Sequence, residues 1–404
     1  MFRKTSEQKV LRDPVHGYIH VDYEVVWDCI NSRWFQRLRR IRQLGGAYTV
    51  YHTADHTRFA HSLGVYEIVR RMVTEVPDLC AELDEKEKVT VMLAALLHDI
   101  GHGPYSHAFE AISKISHEVY TVKIIEEDPE ISGILNRCAE GLAKDVADVL
   151  RNQYANPLLS QLISAQLDAD RMDYLLRDAY FTGTAYGEFD LERILRTMRV
   201  SEGYIVVKES GVYAVENYIM ARYHMYWQVY YHPVARSYEN VIRMLFTRLR
   251  DLSAEGKEIL TVPALLPLLN GEELTLEEFF PLDEYTCSYG FQLLTLDKDS
   301  IAADLAERIL NRNLFKYEEN TPENVEKIRQ ELKNSGYDER YYLAYDEVGQ
   351  RPYVPYQGED NKAIWILVHT GKIEELSKAS AIVTGLVRGP VLSDDRIFYP
   401  LMRK

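Results

Sequence analysis

The residues with the clearest capacity for chemistry are His98 and Asp99, within the sequence LLHDIGHGPYSH. They directly follow residues 89–97, a nearly unbroken apolar run, so an imidazole and a carboxylate leave the end of a buried segment together. An unpaired charge there is costly, and a bound divalent metal ion would satisfy both groups. A helix-terminal histidine beside a capping aspartate gives the same dipeptide, so the prediction of a metal site depends on further ligands.

The chain offers further ligands in two other segments. His56 and His61 lie in HTRFAH before an apolar helical run, and Asp168 and Asp170 lie in DADRMD at the start of another helix. Two imidazoles and two carboxylates would form a neutral ligand set with open positions for water or a phosphate oxygen. Such mixed ligands suit Mg, Mn, Fe, Ni or Zn, and the sequence does not distinguish among them. Both aspartates could instead be helix N-caps.

The elements that must position these residues are mostly helices between about residues 24 and 180. Residues 89–97 predict a helix that is buried on nearly all sides and ends before Gly101. A hairpin is predicted around residues 198–208, with Glu202 and Gly203 at its turn. A long amphipathic helix, rich in tyrosine, is predicted from about residue 213 to 252.

Beyond residue 300 the pattern changes, and helix-like and strand-like segments alternate. The predicted fold class is therefore mainly α, with a helical core and a smaller C-terminal α+β lobe. The expected domains are residues 1–300, a catalytic core with an N-terminal effector-site segment, and residues 301–404, a lobe that contributes to an oligomer or effector site.

The composition narrows the possible functions. The chain has 404 residues with 47 Lys and Arg against 62 Asp and Glu, so its net charge is −15. This disfavours a dedicated nucleic-acid binder, which needs a basic surface, whereas a small anionic substrate needs only a local basic pocket. The apolar run is too short to cross a bilayer, no secretory signal is visible, and the four cysteines are far apart. We therefore expect a cytoplasmic protein that does not act at membranes.

Six motifs along the chain resemble those of the HD superfamily and, within it, the deoxynucleoside triphosphate (dNTP) triphosphohydrolases. They are KVLRDPVHGYI (9–19), FQRLRRIRQLGG (35–46), HTRFAHSLGV (56–65), HDIGHGPYSHAFE (98–110), DADRMDYLLRD (168–178) and RNLFK (312–316). Each motif is weak alone, but six in this order are specific. The resemblance covers about residues 9 to 317 and includes no match to the SAM domain of metazoan members.

The resemblance implies an HD-domain helical core in which four side chains hold the divalent ion: His61, His98, Asp99 and Asp170. The ion would polarise the α-phosphate and lower the pKa of a bound water. The leaving deoxyribose oxygen needs a proton, which a histidine can supply. Our first choice for the donor is His107, held in its working state by Glu110. The matching pocket also contains His102, His117 and Glu118, although His117 could be an ordinary residue at a helix start.

The resemblance also implies a set of substrate contacts. A triphosphate needs fixed cations, and guanidinium groups suit phosphate oxygens. The matching residues are Arg58, Arg171 and Arg222 for the phosphates, Gln43, Leu44, Tyr174 and Asp178 for the sugar, and Tyr230 for the base. Tyr230 could instead belong to an aromatic core stripe within residues 223–231.

Residues 33–42, RWFQRLRRIR, hold five arginines interleaved with apolar side chains. A solvated basic helix face is the simplest explanation. The resemblance instead implies nucleotide effector sites between the subunits of a homotetramer, with matching residues Lys9, Val10, Asn31, Gln36, Arg39, Arg193, Arg312 and Lys316. Asn31 replaces an aspartate that reads guanine in the family, and Gln228 and Pro233 replace basic residues, so we expect a different effector nucleotide or a single effector site.

The sequence therefore predicts a metal-dependent enzyme that hydrolyses a dNTP to a deoxynucleoside and tripolyphosphate under the control of a nucleotide. One alternative is another HD-domain phosphohydrolase, such as a nucleotidase or a phosphodiesterase, which would release different products. Another is a nucleotide sensor that has kept the fold without turnover.

Overall fold

The protein is described by a computed structural model that covers residues 2–113, 116–271, 273–351, 353–355 and 363–402, apart from the side chains of Gln8, His107, Ala111 and Gln350. The strands are β1 (Lys4–Asp13), β2 (Gly17–Tyr23), β3 (Met198–Ser201), β4 (Tyr204–Lys208), β5 (Lys316–Glu319), β6 (Ala344–Gln350), β7 (Trp365–Leu367), β8 (Ile373–Glu375) and β9 (Leu392–Tyr399).

Helices make up most of the rest, which confirms the predicted mainly α fold class. They are α1 (Glu24–Asn31), α2 (Arg33–Arg37), α3 (Arg58–Glu75), α4 (Pro77–Glu82), α5 (Glu85–Leu97), α6 (His107–Ser113), α7 (His117–Glu127), α8 (Pro129–Cys138), α9 (Leu142–Leu150), α10 (Pro157–Ile163), α11 (Ala169–Thr182), α12 (Leu191–Thr197), α13 (Val212–Met225), α14 (Pro233–Ala254), α15 (Leu266–Leu269), α16 (Leu276–Phe279), α17 (Glu284–Leu294), α18 (Ser300–Leu310), α19 (Pro322–Asn334), α20 (Glu339–Tyr342), α21 (Leu376–Ala379) and α22 (Ala381–Arg388).

Three helices form the part of the core that matters for chemistry, because α3 packs against both α5 and α11. Helix α5 begins at a capping box, in which Asp84 and Glu87 satisfy each other's backbone N–H groups, and its last nine residues are buried. A Cβ on Gly64 of α3 would lie 1.8 Å from Asp173 Oδ1, so only glycine allows α11 to approach α3 this closely.

The first two strands form an antiparallel hairpin beside this core. The pairing runs from Lys9 opposite Val21 to Asp13 opposite Gly17, and β2 also contacts α3. The turn between the strands is fixed by Asp13 Oδ1, which accepts hydrogen bonds from the backbone N–H groups of Val15 and His16. Through this turn, side chains of the KVLRDPVHGYI motif reach α11.

The middle of the chain confirms one prediction and corrects another. Strands β3 and β4 form the predicted hairpin, and both Glu202 and Gly203 adopt positive φ at its turn. The single helix predicted from residue 213 to 252 is wrong, because a π-helical turn at Tyr226–Tyr230 separates α13 from α14. Pro233, at the first position of α14, has no N–H to continue the earlier helix.

The C-terminal strands join two sheets. One has the order β3-β4-β7-β8, with β7 parallel to β4, and the other has the order β5-β9-β6 and is antiparallel. The sheet β5-β9-β6, named here the C-terminal sheet, contacts α14 through β5 and β6. The domain boundary at residue 300 stays a prediction. In the part of the chain that the structure describes, no helix is long and apolar enough to span a membrane.

Candidate metal centre and adjoining cavity

Three helices bring four side chains to one point. His61 comes from the first turns of α3, Asp170 comes from the first turn of α11, and His98 and Asp99 follow α5 directly. His61 Nε2 lies 3.1 Å from Asp170 Oδ1 and 3.8 Å from Asp99 Oδ2. His98 Nε2 lies 3.3 Å from Asp99 Oδ1 and 3.7 Å from Asp170 Oδ1. All four residues of the predicted ligand set therefore converge.

The two imidazoles are oriented so that their Nε2 atoms face the cluster. His98 Nδ1 lies 2.8 Å from the carbonyl oxygen of Ala95, and His61 Nδ1 lies 2.8 Å from Asp173 Oδ2. A partner that accepts the Nδ1 proton leaves the Nε2 lone pair available. His98 Nε2 is buried and has no hydrogen-bond partner among the described residues, as expected for a donor atom that a cation would satisfy. The site therefore fits a divalent metal ion.

A buried network behind His61 fixes its orientation. Arg177 donates hydrogen bonds to both oxygens of Asp173, at 2.8 and 2.9 Å, and pairs with Asp13 at 2.8 Å. His16 Nε2 lies 2.6 Å from Asp173 Oδ1. The charges thus alternate through the interior, and Asp173 cannot turn away from His61 without leaving Arg177 partly unpaired.

These four network residues were not predicted as functional from the sequence. The spacing of Asp173 and Arg177, four residues apart on a helix, could have indicated an ion pair. Asp13 and His16 lie more than 150 residues earlier in the chain, and no spacing rule links them to α11.

The charges at the cluster shift the titration of its members strongly. Burial lowers the pKa of His61, but its hydrogen bonds with Asp170 and Asp173 outweigh burial and raise the pKa to about 10. Burial raises the pKa of Asp99, yet His98 and Arg58 hold it well below its usual range. Asp170 likewise has a lowered pKa, because the two histidines outweigh burial. The cluster thus keeps its carboxylates ionised and ready for a cation.

The two aspartates of the DADRMD motif have different positions. Asp168 is the N-cap of α11 and accepts the N–H of Arg171 at 2.8 Å, so the capping alternative is correct for this residue. Asp170 instead points to His61 and His98.

A second group of histidines adjoins Asp99. His102 Nε2 lies 3.3 Å from Asp99 Oδ1, and the rings of His102 and His117 stack with centroids 3.7 Å apart. His117 Nδ1 contacts Glu110, which also accepts the backbone N–H of His117 at 2.9 Å. Burial and the nearby Arg58 hold the pKa of His102 well below its ordinary value. The side chain of His107 lies outside the described residues, so its pairing with Glu110 stays a prediction.

Arg58 connects the cluster to the space beside it. One of its terminal nitrogens contacts Asp99, and the other donates to Ser106 Oγ at 2.9 Å. Tyr105 and Ser106 adopt positive φ values of 61° and 49°, which cost about 1–3 kcal/mol each in residues other than glycine. Glu284 accepts the N–H of Tyr105 at 3.1 Å and so holds the turn that directs Ser106 to Arg58.

Comparison with known proteins agrees with this geometry. A family model described as "HD domain" matches residues 58–178, and a model described as "HD associated region" matches residues 189–340. The uncharacterized protein YwfO of Bacillus subtilis (strain 168) is 47% identical over 404 residues, which cover 98% of this chain and 93% of YwfO. The chain belongs to the HD-domain family.

Two further similarities extend beyond the HD domain itself. A crystal structure of a phosphohydrolase from Bacteroides thetaiotaomicron is similar with a TM-score of 0.87 and 28% identity, and covers 98% of this chain and 100% of that chain. The deoxynucleoside triphosphate triphosphohydrolase SAMHD1 homolog of Dictyostelium discoideum is 27% identical over 351 residues, or 81% of this chain and 63% of that protein. The resemblance stated from the sequence is confirmed.

A cavity of about 510 Å³ lies next to Arg58 of the HD domain. Six of the predicted substrate-contacting residues line it: Gln43, Leu44, Arg58, Tyr174, Asp178 and Tyr230. Arg171 and Arg222 are not among the lining residues that the structure describes. Arg171 instead donates to the carbonyl oxygen of Ala165 at 2.5 Å, and the Arg222 guanidinium lies 5.7 Å from the ring centroid of Tyr226.

The aromatic side chains in the cavity are held by polar contacts. Tyr230 donates its hydroxyl proton to Asp178 at 2.6 Å, and His56 Nε2 lies 2.7 Å from the other oxygen of Asp178. The Tyr230 and Tyr226 rings meet edge to face with centroids 5.0 Å apart. Tyr230 is therefore a cavity residue with a fixed orientation. His56, the first histidine of the HTRFAH motif, helps to fix that orientation through Asp178.

A second cavity, of about 410 Å³, opens on the metal cluster. His98, Asp99 and Asp170 line it together with His117 and Glu118. The cluster thus borders this second cavity, while Arg58 links it to the first. The predicted catalytic histidine His117 lies in the second cavity, beside the cluster.

The predicted effector residues are distributed over several elements. Lys9 and Val10 are on β1, Asn31 ends α1, Gln36 and Arg39 are at α2 and the 3-10 turn after it, Arg193 is on α12, Arg312 follows α18, and Lys316 begins β5. Arg193 donates to the carbonyl of Ser210, whereas Arg312 donates to the carbonyl of Thr49. Within one chain these two arginines thus contact different segments.

The arginine-rich segment is only partly a basic face. Arg37 is fully buried and donates hydrogen bonds to the carbonyl oxygens of His102, Phe280 and Leu282, at 2.7, 3.0 and 2.5 Å. Arg39 is exposed, and its guanidinium lies 3.5 Å from the ring centroid of Phe59. The segment thus contributes both to the core and to the surface.

Proposed function

We propose that this HD-domain protein is a metal-dependent phosphohydrolase whose substrates are dNTPs and whose products are the deoxynucleoside and tripolyphosphate. The observation that carries the proposal is the contact of Arg58 with Asp99, which links a cluster suited to a divalent ion to a cavity of about 510 Å³. The cavity has the size and the mixed aromatic and polar lining of a small-molecule site.

His61, His98, Asp99 and Asp170 would hold the ion. When bound, it would supply Lewis-acid polarisation of a phosphate and a water of lowered pKa. The nature of the metal stays open among Mg, Mn, Fe, Ni and Zn.

Different side chains of the cavity would bind the phosphates, the sugar and the base of a dNTP. Arg58 is the cation nearest the cluster, and its Nε–H is buried without a partner among the described residues, so it retains a donor for a phosphate oxygen. Leu44 and Tyr174 provide a tight apolar surface against which a sugar without a 2′-hydroxyl would pack. Asp178, held by Tyr230 and His56, would read the sugar, and Tyr230 would flank the base.

Proton supply to the leaving oxygen is assigned to the histidines beside Asp99. His117 is paired with Glu110, and this pairing favours an imidazole that carries a proton on Nδ1. His102 is buried between Asp99 and His117 and has a lowered pKa, which suits a neutral ring that accepts rather than donates. His107 remains the first choice for the donor from the sequence.

Regulation by a nucleotide is a further part of the proposal. The family resemblance implies that a complete effector site combines residues from neighbouring subunits. A homo-oligomer, a tetramer by analogy with the family, would bring them together. The absence of an aspartate at Asn31 favours an effector other than a guanine nucleotide or a single effector site.

The decisive experiment is chromatography of the products from each dNTP, alone and in pairs, with the metal varied. Tripolyphosphate and deoxynucleoside support the proposal, whereas orthophosphate indicates a nucleotidase and no product indicates a sensor. The variant His98→Ala should lose both the metal and hydrolysis, and the matched variant His52→Ala, at an exposed histidine outside both cavities, should lose neither. Full activity in His98→Ala would refute the metal assignment.

A further inference from the structure

Part of the wall of the cavity of about 510 Å³ comes from β6, which neither family model covers. Arg236 and Glu239 of α14 line the cavity together with Asp346 and Val348 of β6. The model of the HD-associated region ends at residue 340. The C-terminal sheet therefore completes the cavity of the HD-domain protein.

A buried arginine fastens this sheet to α14. Arg236 is 3% exposed and binds Asp346 Oδ2 at 2.8 Å, the Asp346 carbonyl oxygen at 2.6 Å and Asp394 Oδ2 at 2.8 Å. Asp346 is on β6 and Asp394 is on the adjacent strand β9. One guanidinium thus binds both strands, and its two hydrogen bonds to Asp346 fix the position of that residue in the cavity wall.

The carboxylate of Asp346 keeps unused acceptor capacity. Its Oδ2 accepts hydrogen bonds from Arg236 and, at 3.2 Å, from Asn240 Nδ2. Its Oδ1 accepts none among the described residues, and the side chain is 24% exposed at the cavity. A carboxylate that lines a cavity and has one oxygen without a hydrogen bond favours ligands with N–H donors and disfavours ligands that present a carbonyl oxygen there.

Tyrosines within and directly after the π-helical turn lie between this carboxylate and the proposed base position. Tyr231 donates its hydroxyl proton to the carbonyl oxygen of Gly349 on β6, at 3.3 Å. Its ring lies 5.5 Å from that of Tyr226, which in turn packs against Tyr230. A base that is flanked by Tyr230 would therefore have β6 as a neighbouring surface.

We propose that Asp346, held by Arg236, reads the base of the substrate and favours bases that carry an exocyclic amino group over thymine. This inference rests on the proposed function, because it takes the occupant of the cavity to be a dNTP. Adenine, cytosine and guanine each carry an exocyclic amino donor, at N6, N4 and N2 respectively, whereas thymine carries carbonyl oxygens at O4 and O2 and its single ring donor, N3–H, lies between them. A carboxylate oxygen and a carbonyl oxygen that face each other repel, and Asp346 then gains no hydrogen bond from the base.

The test is a competition among the four dNTPs in one equimolar mixture, with the released deoxynucleosides separated by chromatography. All substrates then share the same effector occupancy, so the ratio of products reports relative kcat/KM. The wild-type protein should release thymidine most slowly. In Asp346→Asn the amide can donate to the thymine carbonyl, and the preference for amino-bearing bases over thymine should fall about five- to tenfold. Thymidine released as fast as the other three by the wild type would overturn the proposal.

Asp394→Asn is the matched control. It removes the other carboxylate from Arg236, but Asp394 is not among the residues that line the cavity. It should lower the melting temperature and leave the product ratios unchanged. Equal changes of the ratios in both variants would mean that the effect passes through Arg236, which would overturn a direct role for Asp346.

A second measurement separates this inference from the proposed function. Equilibrium dialysis of the full-length protein against the four deoxynucleosides measures base preference without hydrolysis. Weakest binding of thymidine, lost in Asp346→Asn, would support base reading even if no dNTP is hydrolysed. Binding without base preference would refute the inference even if every dNTP is hydrolysed to tripolyphosphate.

Discussion

Replacing Asp173 by asparagine tests whether the buried network behind His61 serves the metal ion. Asp173 Oδ2 lies 2.8 Å from His61 Nδ1, and both side chains are almost fully buried. Asparagine keeps the shape of the side chain but removes the negative charge that holds the Nδ1 proton. It can also present an amide N–H to His61, which would favour the tautomer with the wrong nitrogen protonated.

The expected loss follows from the role of such a partner. Removing a carboxylate that orients a metal-binding histidine usually costs 10- to 100-fold in metal affinity, or about 1.4 to 2.7 kcal/mol. The protein should also become less stable, because Arg177 is fully buried and keeps Asp13 as its remaining carboxylate. Breaking a buried ion pair from one side costs about 3–5 kcal/mol, and the second carboxylate should hold the loss near the lower limit.

Asp13→Asn separates the two effects, because Asp13 pairs with Arg177 but the structure gives it no contact with His61. Urea unfolding should show a similar loss of stability in both variants, whereas titration with a divalent metal should show weaker binding only in Asp173→Asn. An equal loss of metal affinity in both variants would refute the reasoning. The network would then stabilise the fold without a specific effect on the orientation of His61.

Three further predictions concern the metal ion, the pair of Glu110 with His117, and the pair of Asp128 with Arg33. Chelation of the metal should abolish hydrolysis and lower the melting temperature, and dialysis back into the metal should restore both, as seen by calorimetry. Glu110→Gln should lower kcat more than it raises KM, because His117 loses its carboxylate partner. Burial raises the pKa of Asp128, but hydrogen bonds led by that from Arg33 lower it overall. Its contribution to stability is therefore present above about pH 4 and lost below, so the difference in unfolding free energy between wild type and Asp128→Asn should shrink in acid.

The sequence could indicate that four side chains lie close together because each of them sits at a strong local signal. The apolar run of α5 must be buried, so His98 and Asp99 had to emerge at its end. Asp170 lies in the first turn of α11, two residues after a helix cap. The hairpin of β3 and β4 carried a turn dipeptide that suits positive φ. In each case the physics that decides the structure acts within a few residues.

The parts that the sequence did not predict depend on contacts between distant segments. The pairing of His16 with Asp173 joins positions 157 residues apart, and no period or spacing encodes it. The π-helical turn before Pro233 was missed because its tyrosines continue a helical pattern, although the proline was an available signal. The place of Asp346 in the cavity wall could not be predicted, because only the folded C-terminal sheet brings it there.

The two arginines that serve the cluster differ in a way that suits catalysis. Arg177 is fully buried, and all its described contacts are with Asp13 and Asp173, so an incoming anion has no access to it. Arg58 is bound to Asp99 but also lines the cavity and keeps an unpartnered Nε–H. Under the proposed function, a phosphate would bind Arg58 without contacting the charged groups that orient His61. Substrate binding would then change the electrostatics on the Arg58 side of the cluster, while the network of Arg177, Asp173 and Asp13 would keep His61 in its orientation.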